Sequence, residues 1–203
     1  MTMLVADPEL ENRLRAERAS RGADKYDEVW NGVYVMHAYP GDEHQELVNR
    51  FCRAMTEVIE DERLGRVRPG VNIASDPDAW TKDYRCPDVV VFLNDTASVC
   101  YDAFWSGGPD FAIEVISPGD ESRTKLEFYA KVGTRELLLV DRDPWRLELY
   151  RHDGTGLPLA AEGDLSGASI ESSVLPVSLK LEVGADRPQV VVTHGDSGKS
   201  WTV

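Results

Sequence analysis

Two runs of β-branched and aromatic residues each carry a carboxylate: Pro87-Asp88-Val-Val-Val-Phe92, and Asp110-Phe-Ala-Ile-Glu114-Val-Ile116. Runs of this composition read as strands. A carboxylate is costly to bury in such a strand unless it is paired or holds a metal. Asp88, taken alone, reads simply as a strand-start residue after Pro87. Glu114 resists that explanation, because it interrupts an apolar run at its middle. Two such strands side by side converge Asp88 and Glu114 at one sheet edge, a pattern suited to a divalent cation.

At 203 residues the chain is long enough for one domain with a real core. No apolar run approaches a membrane span, and the opening residues are too charged for a signal peptide. Cys52, Cys86 and Cys100 are scattered, with no C-x-x-C pair. That pattern argues against a disulfide framework or structural zinc, and makes a reducing cytoplasm the expected setting. A formal charge of −14 opposes a basic DNA-binding surface. An enzyme acting on a polyanion would need locally positive ground, or metal ions to offset the field.

Residues 1–24 read as an accessory segment with a short surface helix, its apolar points limited to Leu4, Leu10 and Leu14. Residues 26–39 predict a hairpin, because Asn31-Gly32 supplies the positive φ angles of a type I′ turn. After Pro40-Gly41, Asp42 is placed to cap a helix over 43–61 whose buried stripe is Leu47, Phe51, Met55 and Val58. A strand over 67–74 breaks near Pro69-Gly70, and 75–82 reads as a loop. Strands near 88–93 and 111–116 are joined by a loop containing Tyr101, Phe104 and Trp105. Ser117-Pro-Gly-Asp120 stops the second strand. Asp120 is a suitable cap for a helix to Val132, which Gly133 ends. Leu137-Leu-Leu-Val140 is the most apolar run and the expected central strand. Residues 146–150 alternate as a strand with one wet face, and edge strands and loops follow to Glu182. The order predicts an α+β (mixed α/β) domain over 25–184, a mixed sheet flanked by helices, with 185–203 as a tail.

Lys125 and Tyr129 lie one helical turn apart and share a face. A helix returning across the carboxylate strands would bring Lys125 toward Asp88 and Glu114. Two carboxylates holding Mg²⁺ or Mn²⁺, with a lysine near the attacking water, make a phosphodiester-hydrolysis site. On its own, Lys125 reads more simply as a surface lysine on a charged helix.

These residues carry a family resemblance. From Tyr26 to Glu182 the chain resembles the Uma family, a large bacterial group within the PD-(D/E)XK nuclease superfamily. The resemblance rests on the Asn-Gly hairpin, the helix beginning near His44, and the PD of Pro87-Asp88. It continues through the E-V-x-S-P from Glu114 to Pro118, Lys125 with Tyr129, and the G-x-x-E-L-x-x-V-D from Gly133 to Asp141. It implies a restriction-endonuclease-like core and a metal-dependent endonuclease acting on DNA. Asp88 and Glu114 become the metal ligands, with the Val115 carbonyl as a third. The position two after Glu114 is Ile116, so the superfamily lysine is absent there, and Lys125 on the following helix matches its relocated position.

Smaller expectations attach to other polar residues. His44 faces inward or toward a cleft, as a structural histidine or as a holder of water or phosphate beside the site. Glu28 and Glu43 read first as solvated side chains and second as neighbours of the site. Arg85 and Arg123 flank the motifs and are candidates to meet a substrate phosphate. Asp141 ends the central strand, but Asp141-Arg-Asp-Pro144 also reads as an ordinary turn, which is the favoured role. Gly198-Lys199-Ser200 lacks the rest of a phosphate-binding loop, and Gly195-Asp-Ser-Gly198 lacks a serine-protease fold around it. Both are assigned to a flexible tail. A non-catalytic nucleic-acid- or protein-binding module is the alternative function, favoured by the charge and by Ile116. A structural oligomer presenting Trp105, Trp145 and Tyr150 is a third. A homodimer is expected from the two strands of duplex DNA.

Overall fold

The computed structural model describes residues 2–117 and 121–203, so the expected break at Pro118-Gly119 and the cap Asp120 lie outside the described residues. A six-stranded sheet forms the centre, in the order Leu159–Gly163, Trp145–Arg151, Glu136–Arg142, Phe111–Val115, Val89–Leu93, Gly65–Pro69. Phe111–Val115 and Glu136–Arg142 run parallel, with Glu114 opposite Leu139. The other neighbours are antiparallel. A parallel pair needs a crossover. Here it contains a 3-10 turn at Ser122–Lys125 and a helix at Leu126–Val132, ended by Gly133 at φ 84°. The chain is thus mixed α+β, as the sequence predicts.

The run from Leu137 to Val140 is central and fully buried, because the sheet is covered on both faces. Leu138 and Val140 pack with Leu47, Phe51 and Met55 of the helix Asp42–Met55, while Leu137 and Leu139 pack with Phe128 and Tyr129. The Asp42–Met55 helix continues as a π-helical turn over Thr56–Glu60. Its cap is the extended backbone of Gly41, not the Asp42 side chain, which falls inside the first turn. There its charge still meets the positive end of the helix dipole.

The hairpin forms as expected, Glu28–Trp30 against Val33–His37, with Asn31 and Gly32 at φ 49° and 85°. It belongs to a seven-stranded sheet of short strands that also includes Tyr84–Arg85, Ile73–Ala74 and Trp105–Ser106. The predicted 67–74 strand is therefore two strands in different sheets, divided after Pro69. The first 24 residues are more than an accessory helix: Thr2–Val5 pairs with Val33–His37, ahead of the exposed helix Pro8–Ser20. Trp105 is a core residue stacked on Phe92, so it offers no interface.

The tail expectation is also corrected. Gln189–His194 and Ser200–Thr202 are paired strands of a four-stranded sheet with Ser169–Glu171 and Val177–Glu182. Val190, Val192 and Val203 are buried in the same core as Leu138 and Phe51. The apolar alternation of Val190 and Val192 wins over the polar composition around it. The Gly-Asp-Ser-Gly-Lys segment is the hairpin turn, with the Ser197 amide on His194 Nδ1 and Lys199 paired with Glu57. Among the described residues, no helix is long and apolar enough to cross a membrane.

Leu138→Ala is expected to destabilise the domain by roughly 2–5 kcal/mol in denaturant melts. A loss below about 0.5 kcal/mol would mean that the strand is peripheral. Deleting residues 185–203 is expected to abolish cooperative thermal unfolding followed by circular dichroism, since it uncovers Leu179 and Leu181. A truncated chain that melts like the full one would show that those residues are dispensable.

Candidate metal and catalytic site

Strand register brings the two carboxylates together. Val89 pairs with Ile113, so the residue before Val89 stands beside the residue after Ile113. Asp88 Oδ2 accepts the Val115 amide at 2.7 Å, and Asp88 Oδ1 lies 3.0 Å from His44 Nε2. Strand parity then decides what meets Glu114. Phe111, Ile113 and Val115 face the long helix, whereas Ala112 packs with Phe128 and Tyr129. Glu114 shares the parity of Ala112 and turns toward the crossover. Lys125, at the start of the crossover helix, and Tyr129, one turn on, reach the carboxylate from that side. Glu114 Oε1 accepts Lys125 Nζ at 3.0 Å and the Tyr129 hydroxyl at 2.6 Å.

Glu28 is a third carboxylate in this cluster, not a solvated side chain. It is 1% exposed. Its Oε1 accepts Lys125 Nζ at 3.0 Å and the Cys86 amide at 2.8 Å, and its Oε2 accepts Trp30 Nε1 at 2.6 Å. His37 Nε2 stands 3.4 Å from the same Oε2. Glu28, His44, Asp88, Glu114, Lys125 and Arg142 line one cavity of about 290 Å³.

Other expected residues stand differently. Tyr129 is fully buried behind Glu114. Glu43 lies at the rim, where its carboxylate pairs with Arg142 at 2.7 Å and Arg187 at 3.6 Å. Arg85 does not reach the cavity: it is buried between Phe128 and Trp30 and donates to the Val29 carbonyl and Asp83. Arg123 also points elsewhere, bound to Glu148 and Asp141. Neither arginine is placed to meet a phosphate at this site. Asp141 is the second-last residue of the central strand, and its Oδ1 accepts the Asp143 amide at the turn that follows.

Arg142 and Ser117 were not anticipated. Arg142 Nε donates to the Ile116 carbonyl at 3.0 Å and Nη2 to Ser117 Oγ at 3.3 Å, while Ser117 Oγ lies 3.4 Å from His44 Nδ1. The signal for Arg142 is its position at the end of the central strand. That strand is parallel to the one bearing Glu114, so their C-terminal ends share one edge.

The electrostatics follow from burial around one ammonium. Desolvation pushes the Glu114 carboxyl up to about 8, against Lys125 and with Asp88 and Glu28. Burial also opposes the charge on Glu28, but Lys125 and His37 outweigh it and hold its carboxyl well below the usual range. Glu28 thus keeps its charge, while the metal-free Glu114 takes a proton near neutrality. Burial, and then Glu28, push the Cys86 thiol far up, so it stays protonated and is no nucleophile.

The donor set at the strand edge is carboxylate oxygen, which suits a hard cation such as Mg²⁺ or Mn²⁺. Glu28 and Glu114 each lie 3.0 Å from the same Lys125 Nζ. Among the described residues, no three of His, Cys, Asp and Glu converge as a preformed metal cage.

The mixed sheet flanked by helices is consistent with a restriction-endonuclease-like fold. The chain matches Uma2, described as a putative restriction endonuclease, over residues 11–184, and it belongs to that family. Among solved structures it is similar in fold to a putative nuclease belonging to DUF820 from Anabaena variabilis. The TM-score is 0.58 at 18% identity, covering 72% of this chain and 80% of that one. No match is found among curated proteins.

The raised Glu114 carboxyl gives a signed pH dependence. In the unfolded chain this group ionises near 4.5, and in the folded chain near 8. Between those values the folded state binds more protons, so stability is full below about 4.5 and lost as pH rises toward 8. Glu28 has the opposite sign, and its stabilising contribution is lost only as pH falls below 4.5. Urea melts of the metal-free protein from pH 5 to 9 are expected to show stability declining with pH, and Glu114→Gln to flatten that decline. An unchanged slope in the variant would assign the decline to another group.

Proposed function

We propose that the chain is a divalent-cation-dependent endonuclease hydrolysing phosphodiester bonds in DNA. The observation that carries this reading is the convergence of Asp88, Glu114 and Lys125 on one cavity at the end of adjacent strands. Asp88 and Glu114 would hold Mg²⁺ or Mn²⁺, with the Val115 carbonyl as a further oxygen. When bound, the ion supplies Lewis acidity toward the phosphate and lowers the pKa of a coordinated water. Lys125 offsets charge developing on the phosphate oxygens or orients the attacking water. His44 and the Val115 amide fix the orientation of Asp88, and the Tyr129 hydroxyl fixes that of Glu114. Such partners tune a metal site as its ligands do.

The net charge of −14 favours a second reading, a nucleic-acid- or protein-binding module on the same scaffold. Kinetics separate the two. Lys125→Met is expected to slow single-turnover DNA cleavage with Mn²⁺ by on the order of 10²-fold or more. The comparison belongs at saturating DNA and low salt, because removing a charge also weakens attraction to the polyanion. Wild-type rates in the variant would remove Lys125 from the chemistry. A wild type that binds DNA but cuts no sequence or strand form with either ion would leave the binding module.

A further inference from the structure

We propose that Glu28 is a positioning residue that shares the Lys125 ammonium with Glu114, so that a divalent cation can take Glu114 from it. This rests on the reading of Asp88 and Glu114 as the cation's ligands. Lys125 Nζ lies 3.0 Å from Glu28 Oε1 and 3.0 Å from Glu114 Oε1, so the two carboxylates compete for one ammonium. All three side chains are within 5% of full burial, where water screens little of that competition.

The two competitors are anchored differently. Glu28 is fixed by the Cys86 amide on one oxygen and by Trp30 Nε1 on the other. Those donors come from the Tyr84–Arg85 side and from the hairpin, two elements the sheet already pairs. Glu28 therefore stays in place whether or not a cation is present. Glu114 faces the cavity beside Asp88, and a cation there competes directly with Lys125 for its oxygen. A lysine left with Glu114 alone would pair with it fully, and cation entry would have to break that pair. Glu28 gives the ammonium a second, permanent partner, so Glu114 is released while Lys125 remains beside the cation. The hairpin, which precedes the motif-bearing strands by more than fifty residues, thereby acts on metal affinity.

A double-mutant cycle read by calorimetry with Mn²⁺ alone tests this in the full chain. Glu28→Gln is expected to weaken Mn²⁺ binding by about 10- to 100-fold, the range found for residues supporting metal ligands. In the Lys125→Met background the same substitution is expected to cost several-fold less, because no ammonium remains to fall on Glu114. Equal losses in both backgrounds would reduce Glu28 to a general charge effect and overturn the proposal. So would wild-type affinity in Glu28→Gln. A wild type that binds no Mn²⁺ would instead overturn the ligand reading, and this proposal with it. Should Glu28→Gln fail to fold, Glu28→Asp keeps the charge but shortens the reach. It is expected to lose affinity to a smaller degree, again relieved by Lys125→Met; loss without relief would count against the positioning role.

Discussion

Glu114 is the residue around which the local structure is arranged. It sits inside an apolar strand, in the middle of a sheet covered on both faces, and there a bare carboxylate is strongly disfavoured. Lys125 and Tyr129 meet it because they lie one helical turn apart on the crossover that a parallel strand pair requires. Breaking one partner of such a buried pair costs far more than the pair contributes. The parallel pairing, the helix start and the side-chain parity of Phe111–Val115 are thus bound to a single group. On the proposed reading, the same burial that makes Glu114 awkward for stability would favour exchange of its proton or ammonium for a cation.

Much of this was legible in the sequence, for identifiable reasons. The Asn31-Gly32 turn, the apolar stripe of the long helix and the Leu137–Val140 run are local patterns of period 2 or 3.6, and they form where those periods place them. Asp88 and Glu114 were visible because a charge in an apolar strand is an exception that needs a partner. The Lys125–Tyr129 spacing then indicated the face from which that partner would come. What was not legible depends on distant pairing. Glu28 alternates with Val29 in a short hairpin strand and carries no local sign of burial; only the docking of the hairpin onto Tyr84–Arg85 encloses it. The residues after 184 looked like a tail because a polar hairpin turn dilutes two short strands. Their role in closing the core is a matter of what packs on Leu138.

The arginines show the same boundary between composition and geometry. Proximity to the motifs suggested Arg85 and Arg123 for a phosphate, but each is neutralised by its own carboxylates, and the first is stacked between aromatic rings. Arg142 is the arginine at the cavity, through its place at the end of a parallel strand. Chain proximity is a poor guide where strands from distant segments define one edge, whereas strand direction is a good one.

The charge balance at the site bears on how an acidic chain can act on an acidic polymer. Carboxylates already pair the two cations that line the cavity, Lys125 with Glu28 and Glu114 and Arg142 with Glu43. On the proposed reading, a divalent cation would add positive charge there without altering the surface charge of the remainder of the chain. On the proposed reading, the ion therefore does more than chemistry: it creates the positive ground that the composition withholds. Glu28 enters the same balance from the side of the lysine. By giving the ammonium a second partner, it would on that reading let Lys125 and the ion occupy one small cavity, where together they would favour a phosphate.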